Sequence, residues 1–272
     1  MIQMAAGEFN YQDHDKLAEL FLAWCKNSGV RGAECRWVLG RDLYQTYQTG
    51  TPNVLAKEMD EAIKWQIKDL LELPVDQALV THYQPVDSSN QTDQLVAVAT
   101  QKALIETLID ISHQAGVNLD SIDIEELVVG HALADYFSDE KIIGFIGEDS
   151  AGLVFNFYRS GGLSFTRHKK GRFMPNSQQQ EFSLEQDKEA EQESFLLETQ
   201  RTLDYVVSQI FRRPIDTLLL QKNSAADDQL AELIHQITEL KVNLVTPSIV
   251  AKDAETLAPN LAEVGAVTKV GA

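Results

Sequence analysis

The amino-acid sequence predicts an α/β protein of two lobes, and three observations carry that reading. Apolar residues switch repeatedly between a helical spacing and short β-rich runs along the whole chain. The second half opens with three consecutive strand-like segments and then alternates helix and strand, which marks a second layered unit. The composition, 44% hydrophobic and 24% charged over 272 residues, is that of an ordinary globular protein.

The elements follow in order. Leu17, Leu20, Phe21 and Trp24 share one helical face over residues 13–26, and Asn27-Ser28-Gly29 ends it. Arg36 to Leu39 reads as a short strand. Thr51-Pro52-Asn53 opens a long helical pattern to Leu73, with Pro74 beyond its end. Residues 78–84 and 94–100 are β-rich and flank the polar turn 87–93. A helix over 101–115 stops at Gly116, a strand follows near Ile122, and residues 125–137 read as helical. In the second half, 141–147, 153–158 and 163–167 read as strands, with Ser160-Gly161-Gly162 as the tight turn between the last two. Residues 174–180 read as loop, 187–210 as helix, 216–221 as strand, 227–240 as helix, 242–245 as strand and 254–263 as a last helix. The lobes are therefore expected at 1–138 and 139–272, with a boundary near Ser138-Asp139-Glu140.

Several function classes are excluded or left without support. A formal net charge of −18 is the wrong sign for a chain that must neutralise phosphates, so a nucleic-acid partner is not expected. Two cysteines, Cys25 and Cys35, neither staple a fold of this size nor form a zinc spacing, which fits a reducing compartment. No apolar run is long enough to span a bilayer. The six histidines, at 14, 82, 113, 131, 168 and 235, form no HExxH or HxH pattern, and His131, on an apolar helical stretch, reads as a core residue. There is no G-x-S-x-G elbow and no Walker or Rossmann fingerprint. Gly144, Gly147, Gly161 and Gly162 read as turn glycines at positive φ rather than as a phosphate cradle.

Two charge runs adjoin. Arg167-His168-Lys169-Lys170-Gly171-Arg172 is basic, and residues 181–193 are strongly acidic. The plain reading is a solvated loop and the exposed start of a helix, whose dipole favours acids there. The sharper one is contact between the basic run and anionic lipid headgroups. Trp65, in an apolar helix with interleaved polar residues, reads first as a core residue and second as part of a groove for a partner segment.

The run Trp37-Val38-Leu39-Gly40-Arg41-Asp42-Leu43-Tyr44, then Pro52, then Ala62-Ile63-Lys64-Trp65-Gln66-Ile67-Lys68-Asp69-Leu70, then Leu73-Pro74-Val75-Asp76, resembles pilus-assembly proteins of the PilM type. Ile122-Asp123-Ile124-Glu125-Glu126-Leu127 resembles the family's strand-to-helix step that closes the first lobe. Glu198-Thr199-Gln200-Arg201-Thr202-Leu203-Asp204-Tyr205 resembles its E-x-Q-R-S-x-D-Y-Y helix. The resemblance implies an actin-like, two-lobed (RNase H-like) fold with a small inserted subdomain at about residues 40–90. It also implies a cytoplasmic position beneath the inner membrane, where such proteins hold the cytoplasmic tail of a PilN-like membrane-anchored partner. Trp65, Lys68 and Asp69, in the inserted subdomain, are the candidate partner-binding residues. Oligomeric state and a peripheral membrane contact stay open.

Departures from the family bear on ATP, its cofactor. The first phosphate loop, D-x-G, belongs to an N-terminal hairpin that residues 1–272 do not show, since they open just before the first helix. The second should read V-D-I-G. Here Gly144-Phe145-Ile146-Gly147 puts Phe145 where the carboxylate that orients the metal and its water belongs. Gln221-Lys222-Asn223-Ser224 replaces the adenosine-binding G-G, so side chains stand where backbone must approach the ligand. The expectation is a pseudo-ATPase with no bound cofactor, Phe145, Gly147, Gln221 and Asn223 marking the degenerate loops. An active ATP-binding assembly ATPase is the alternative, and a metabolic enzyme with an unfamiliar site is a third.

Overall fold

The computed structural model describes residues 5–9, 13–86, 94–138, 140–148, 152–170, 185–222, 226–246 and 261–268. They form two compact units. One comprises Met1–Gln84, Asp93–Val128 and Ala262–Ala272, the other Pro85–Thr92 and Val129–Leu261.

In the first unit, α1 (His14–Ser28) starts where the Asp13 carboxylate accepts from the Lys16 amide at 2.7 Å and stops at Gly29, φ 65°. Its buried stripe is Leu17, Phe21 and Cys25, whereas Leu20 is exposed. This face and that of α3 (Lys102–Ala115) pack together with β1 (Glu34–Leu39) and β5 (Asn118–Ile124), which pair in parallel with Trp37 opposite Ile122. The Trp37 indole Nε1 donates to Ser112 Oγ at 2.9 Å, which satisfies a half-buried donor.

Between β1 and α3 lies the inserted subdomain. Three antiparallel strands, β2 (Tyr44–Gly50), β3 (Ala78–Tyr83) and β4 (Gln94–Gln101), are ordered β2-β4-β3. Helix α2 (Met59–Gln66) covers one face, with Ile63 and Ile67 against Ala78, Val80, Leu95, Ala97 and Ala99. The long helix expected over 51–73 is not there. Ala56–Glu58 is a 3-10 turn and α2 has only eight residues. Three strands offer α2 little to cover, and the later apolar residues Leu71 and Leu73 reach the same core from turns. β2 was not expected at all.

The second unit is built on a five-stranded sheet of order β10-β9-β6-β7-β8. β6 (Ile142–Glu148), β7 (Gly152–Arg159) and β8 (Gly162–Lys170) form an antiparallel meander. The β7–β8 turn uses left-handed Ser160 (φ 49°) and Gly161 (φ 81°), the pairing a two-residue hairpin requires. β9 (Thr217–Gln221) and β10 (Val242–Val245) add in parallel. Helices α5 (Glu185–Tyr205), which runs on as a π-turn over Val206–Phe211, and α6 (Ala226–Thr238) close the core. Phe195, Leu203, Val206, Leu230 and Ile234 from this layer meet Leu153, Phe155 and Phe157 of β7.

Helix α4 (Glu125–Ala132) follows β5 without a loop residue, as the strand-to-helix motif implies. The helical pattern to Phe137 breaks after Ala132, and Ala134–Tyr136 is a 3-10 turn. His131 is exposed, not a core residue, because Val128, Val129 and Leu133 take the buried face. The last described helix is α7 (Leu261–Thr268). The turn expected at 87–93, the loop at 174–180 and residues 254–260 lie outside the described residues.

Candidate functional site

Three of the four residues expected at degenerate phosphate loops come together at one end of the second unit's sheet. Phe145 is buried, and its side chain folds back over Gly147. A β-carbon at Gly147 would lie 2.5 Å from Gln221 Oε1 and 2.7 Å from Phe145 Cζ. Gln221 also accepts from the Glu148 amide at 3.3 Å, so it holds the end of β6 from β9. The glycines are therefore not turn residues at positive φ, as the sequence suggests for Gly144 and Gly147. Both lie inside β6, and neighbouring side chains leave no room for a substituent. At Gly144 the obstacle is Leu218 Cδ1, 2.7 Å from where a β-carbon would stand. Asn223 lies outside the described residues, as does Ser224.

The candidate partner-binding residues sit on the outer side of α2 and the turn after it. Trp65 is 55% exposed, against the expectation of a core residue, because Ile63 and Ile67 already fill the contact with the sheet. Its indole Nε1 donates to Glu61 Oε1 at 2.8 Å, and Lys68 Nζ stands 6.0 Å from the ring centroid. Asp69 and Leu70, next in the chain, are exposed too. Helical spacing alone could not separate Trp65 from Ile63, since both belong to an apolar run and only the strand positions decide which is covered.

Two buried charge clusters escaped the sequence reading. In the first unit, the Glu126 carboxylate, 1% exposed, accepts from the Tyr44 hydroxyl and stands 3.6 Å from Arg41 Nε. The Arg41 guanidinium lies over the Tyr44 ring at 4.9 Å. Burial, then the Glu126 charge, raises the Tyr44 phenol far above its ordinary range, and the same two causes raise Tyr83. In the second unit, the buried Glu198 carboxylate binds Arg167 and has Lys169 Nζ at 3.8 Å. Two cations of the basic run thus pair with an internal carboxylate, while Lys169 and Lys170 stay exposed. Gly171 and Arg172 lie outside the described residues. The signal that could have found Glu198 was its place in the E-x-Q-R-like motif, one helical turn from Phe195.

Among the described residues no group of three or more His, Cys, Asp or Glu side chains is arranged to hold a metal ion. Among them, too, no helix is long and apolar enough to cross a membrane.

No protein-family model matches the chain, and no curated protein matches it. Solved structures do. The PilM-PilN type IV pilus biogenesis complex is similar with a TM-score of 0.68 and 13% identity, covering 92% of this chain and 84% of that one. The cytoplasmic domain of EpsL, an inner-membrane component of the type II secretion system of Vibrio cholerae, gives a TM-score of 0.48 at 9% identity, covering 93% and 82%. A Bacteroides thetaiotaomicron protein with an actin-like ATPase fold gives 0.48 at 9% identity, covering 87% and 73%. The order β10-β9-β6-β7-β8 and the likeness over nearly the whole chain establish the fold as actin-like.

Proposed function

We propose that this chain is a non-catalytic scaffold of a type IV pilus assembly platform, placed on the cytoplasmic side of the inner membrane. There it binds the cytoplasmic tail of a membrane-anchored PilN-like protein. The observation that carries this reading is the likeness of fold to the PilM-PilN complex across 92% of the chain. The motif run from Trp37 to Asp76 and the Glu198–Tyr205 helix support the same family. Within it, we read the chain as an MSHA-pilus member of the MshI kind with an MshJ-like partner.

The tail is assigned to the face around Trp65, Lys68 and Asp69. An indole, the ammonium group over it and the exposed Leu70 that follows make an anchor for a short amphipathic segment. Recognition, not chemistry, is the activity.

ATP is not assigned. A triphosphate and its metal need an oriented carboxylate and open backbone at the end of β6. The residues there do not fit that group: the Phe145 ring and Gln221 fill the space over Gly147. A phenyl ring neither coordinates magnesium nor orients a water, so no hydrolytic step is derived.

The test is binding of the purified chain to a synthetic peptide of the PilN-like or MshJ-like cytoplasmic tail, read by interferometry. Trp65→Ala and Lys68→Glu are each expected to weaken binding at least about tenfold, or about 1.4 kcal/mol. Leu20→Ala, at an exposed site on α1, should leave it unchanged. Equal affinity across all of these proteins would remove the assignment of this face.

A further inference from the structure

The inserted subdomain has a core of its own. Ile63 and Ile67 pack with Ala78, Val80, Leu95, Ala97 and Ala99 of its sheet, while α1, α3, β1 and β5 enclose a second core around Leu17, Phe21, Leu104 and Leu108. Among the described residues the two cores share no side chain, and from the three strands only Tyr44, Val98 and Tyr83 reach into the second one. The chain passes between them through the 3-10 turn Arg41–Leu43 and through the single step from Gln101 of β4 to Lys102 of α3. Thr100 Oγ1 donates to the Leu43 carbonyl at 2.6 Å and ties these two crossings together. A body with its own core, a narrow apolar contact and two adjacent crossings is built to turn as one piece.

Charge gathers at this junction. Glu126, the second residue of α4, accepts from the Tyr44 hydroxyl where β2 begins and stands 3.6 Å from Arg41 Nε in the turn. Arg41 Nη2 donates to Thr46 Oγ1 of β2 at 3.2 Å. Tyr83 ends β3 near enough for the Glu126 charge to raise its phenol. Each strand of the subdomain thus brings its junction end to one place: Tyr44 from β2, Tyr83 from β3 and, through Leu43, Thr100 from β4. Apolar contact holds surfaces together without giving them a direction. Hydrogen bonds and an ion pair drawn from several elements are met together in one arrangement. A buried carboxylate is costly to desolvate compared with an apolar side chain of similar size, so stability alone does not account for Glu126.

We propose that the Glu126 cluster is the joint that fixes the orientation of the inserted subdomain on the core of α1, α3, β1 and β5, and that the subdomain turns as a rigid body once the cluster's charges are removed. Arg41 and Glu126 are positioning residues, which hold Tyr44 and the 3-10 turn in place. The packing of α2 on its sheet does not depend on them, since no residue of the cluster belongs to the subdomain's own core. This rests on the two separate cores and the geometry of the junction, and is independent of the platform reading.

The experiment is double electron–electron resonance on the 272-residue chain, with spin labels carried by unnatural amino acids at Lys57 in the subdomain and Asp110 on α3, both exposed. Hydrogen exchange is followed in parallel. The unaltered chain is expected to give one narrow distance peak. Glu126→Gln, and separately the paired exchange of Arg41→Leu with Glu126→Leu, should broaden or split that peak, while the amides of residues 96–99 in β4 and 104–108 in α3 keep their protection. The paired exchange removes both charges together and leaves no lone buried ion, so it decides where the two variants differ. A narrow, unshifted peak in the paired exchange overturns the proposal, and so does a broad peak in the unaltered chain. Loss of protection inside the subdomain sheet, or failure of both variants to fold, also overturns it, since the cluster would then hold the fold and not its orientation.

Discussion

The sheet of the second unit and the β1–β5 pair of the first are made of the same kinds of element, yet they bury their strands to different depths. β9, Thr-Leu-Leu-Leu-Gln, has a neighbour on each side and no exposed apolar residue in its centre. β1, Glu-Cys-Arg-Trp-Val-Leu, has one neighbour among the described residues and mixes polar with apolar positions. A strand flanked on both sides and covered on both faces reads as a continuous apolar run, and one left at an edge does not. The second unit spends its side chains on its own core, including at the end of β6 where Phe145 and Gln221 close over Gly147. The first leaves large side chains in solvent around α2, Trp65 among them. That difference is the reason the proposed recognition face is put on the first unit and not at the sheet end of the second.

Substitutions can break that contrast. The largest effect is expected for Phe145→Ala, which empties a fully enclosed site and should cost about 3–5 kcal/mol in urea unfolding. A loss under about 1 kcal/mol would mean the ring is not a packed core residue. Next comes Tyr44→Phe, which removes the hydroxyl donated to the buried Glu126 carboxylate and should cost about 1.5–3 kcal/mol. The same group sets an alkaline limit. Its folded-state pKa is raised, so its contribution is complete below the unfolded value, about 10, and is lost as pH climbs beyond it. Thermal melts from pH 9 upward should therefore fall less steeply in Tyr44→Phe than in the unaltered protein. Gly147→Ala, which forces a methyl against Gln221 and the Phe145 ring, should cost about 1–3 kcal/mol. Trp65→Ala should stay within about 0.5 kcal/mol in stability while weakening partner binding, which sharpens the contrast from the other side.

Much of the fold was legible in the sequence because its elements obey simple periodicities. The β6–β7–β8 meander, its Ser160-Gly161 turn and the β9–α6–β10 alternation lie where turn chemistry and apolar runs put them. The inserted subdomain was harder. Tyr-Gln-Thr-Tyr-Gln-Thr-Gly alternates β-favouring residues with glutamines, and its strand character depends on pairing with β4 rather than on an apolar face. The helix over 51–73 failed because Leu55 and Leu70 fit the spacing but face solvent, a distinction periodicity does not carry. At the site, the sequence showed that residue 145 lacks a carboxylate. It did not show that the ring turns back over Gly147, which depends on Gln221 arriving from a strand more than seventy residues away. The ion pairs at Glu126 and Glu198 were invisible for the same reason, since each joins elements distant in sequence.

The central claim is that the strand end of β6, where a nucleotide would have to sit, is closed by this chain's own side chains. Isothermal titration of the chain with magnesium-ATP tests it most directly. The account predicts no saturable heat, with any affinity weaker than about 1 mM. One-to-one binding near about 1 μM, abolished by a larger side chain at Gly147, would contradict it.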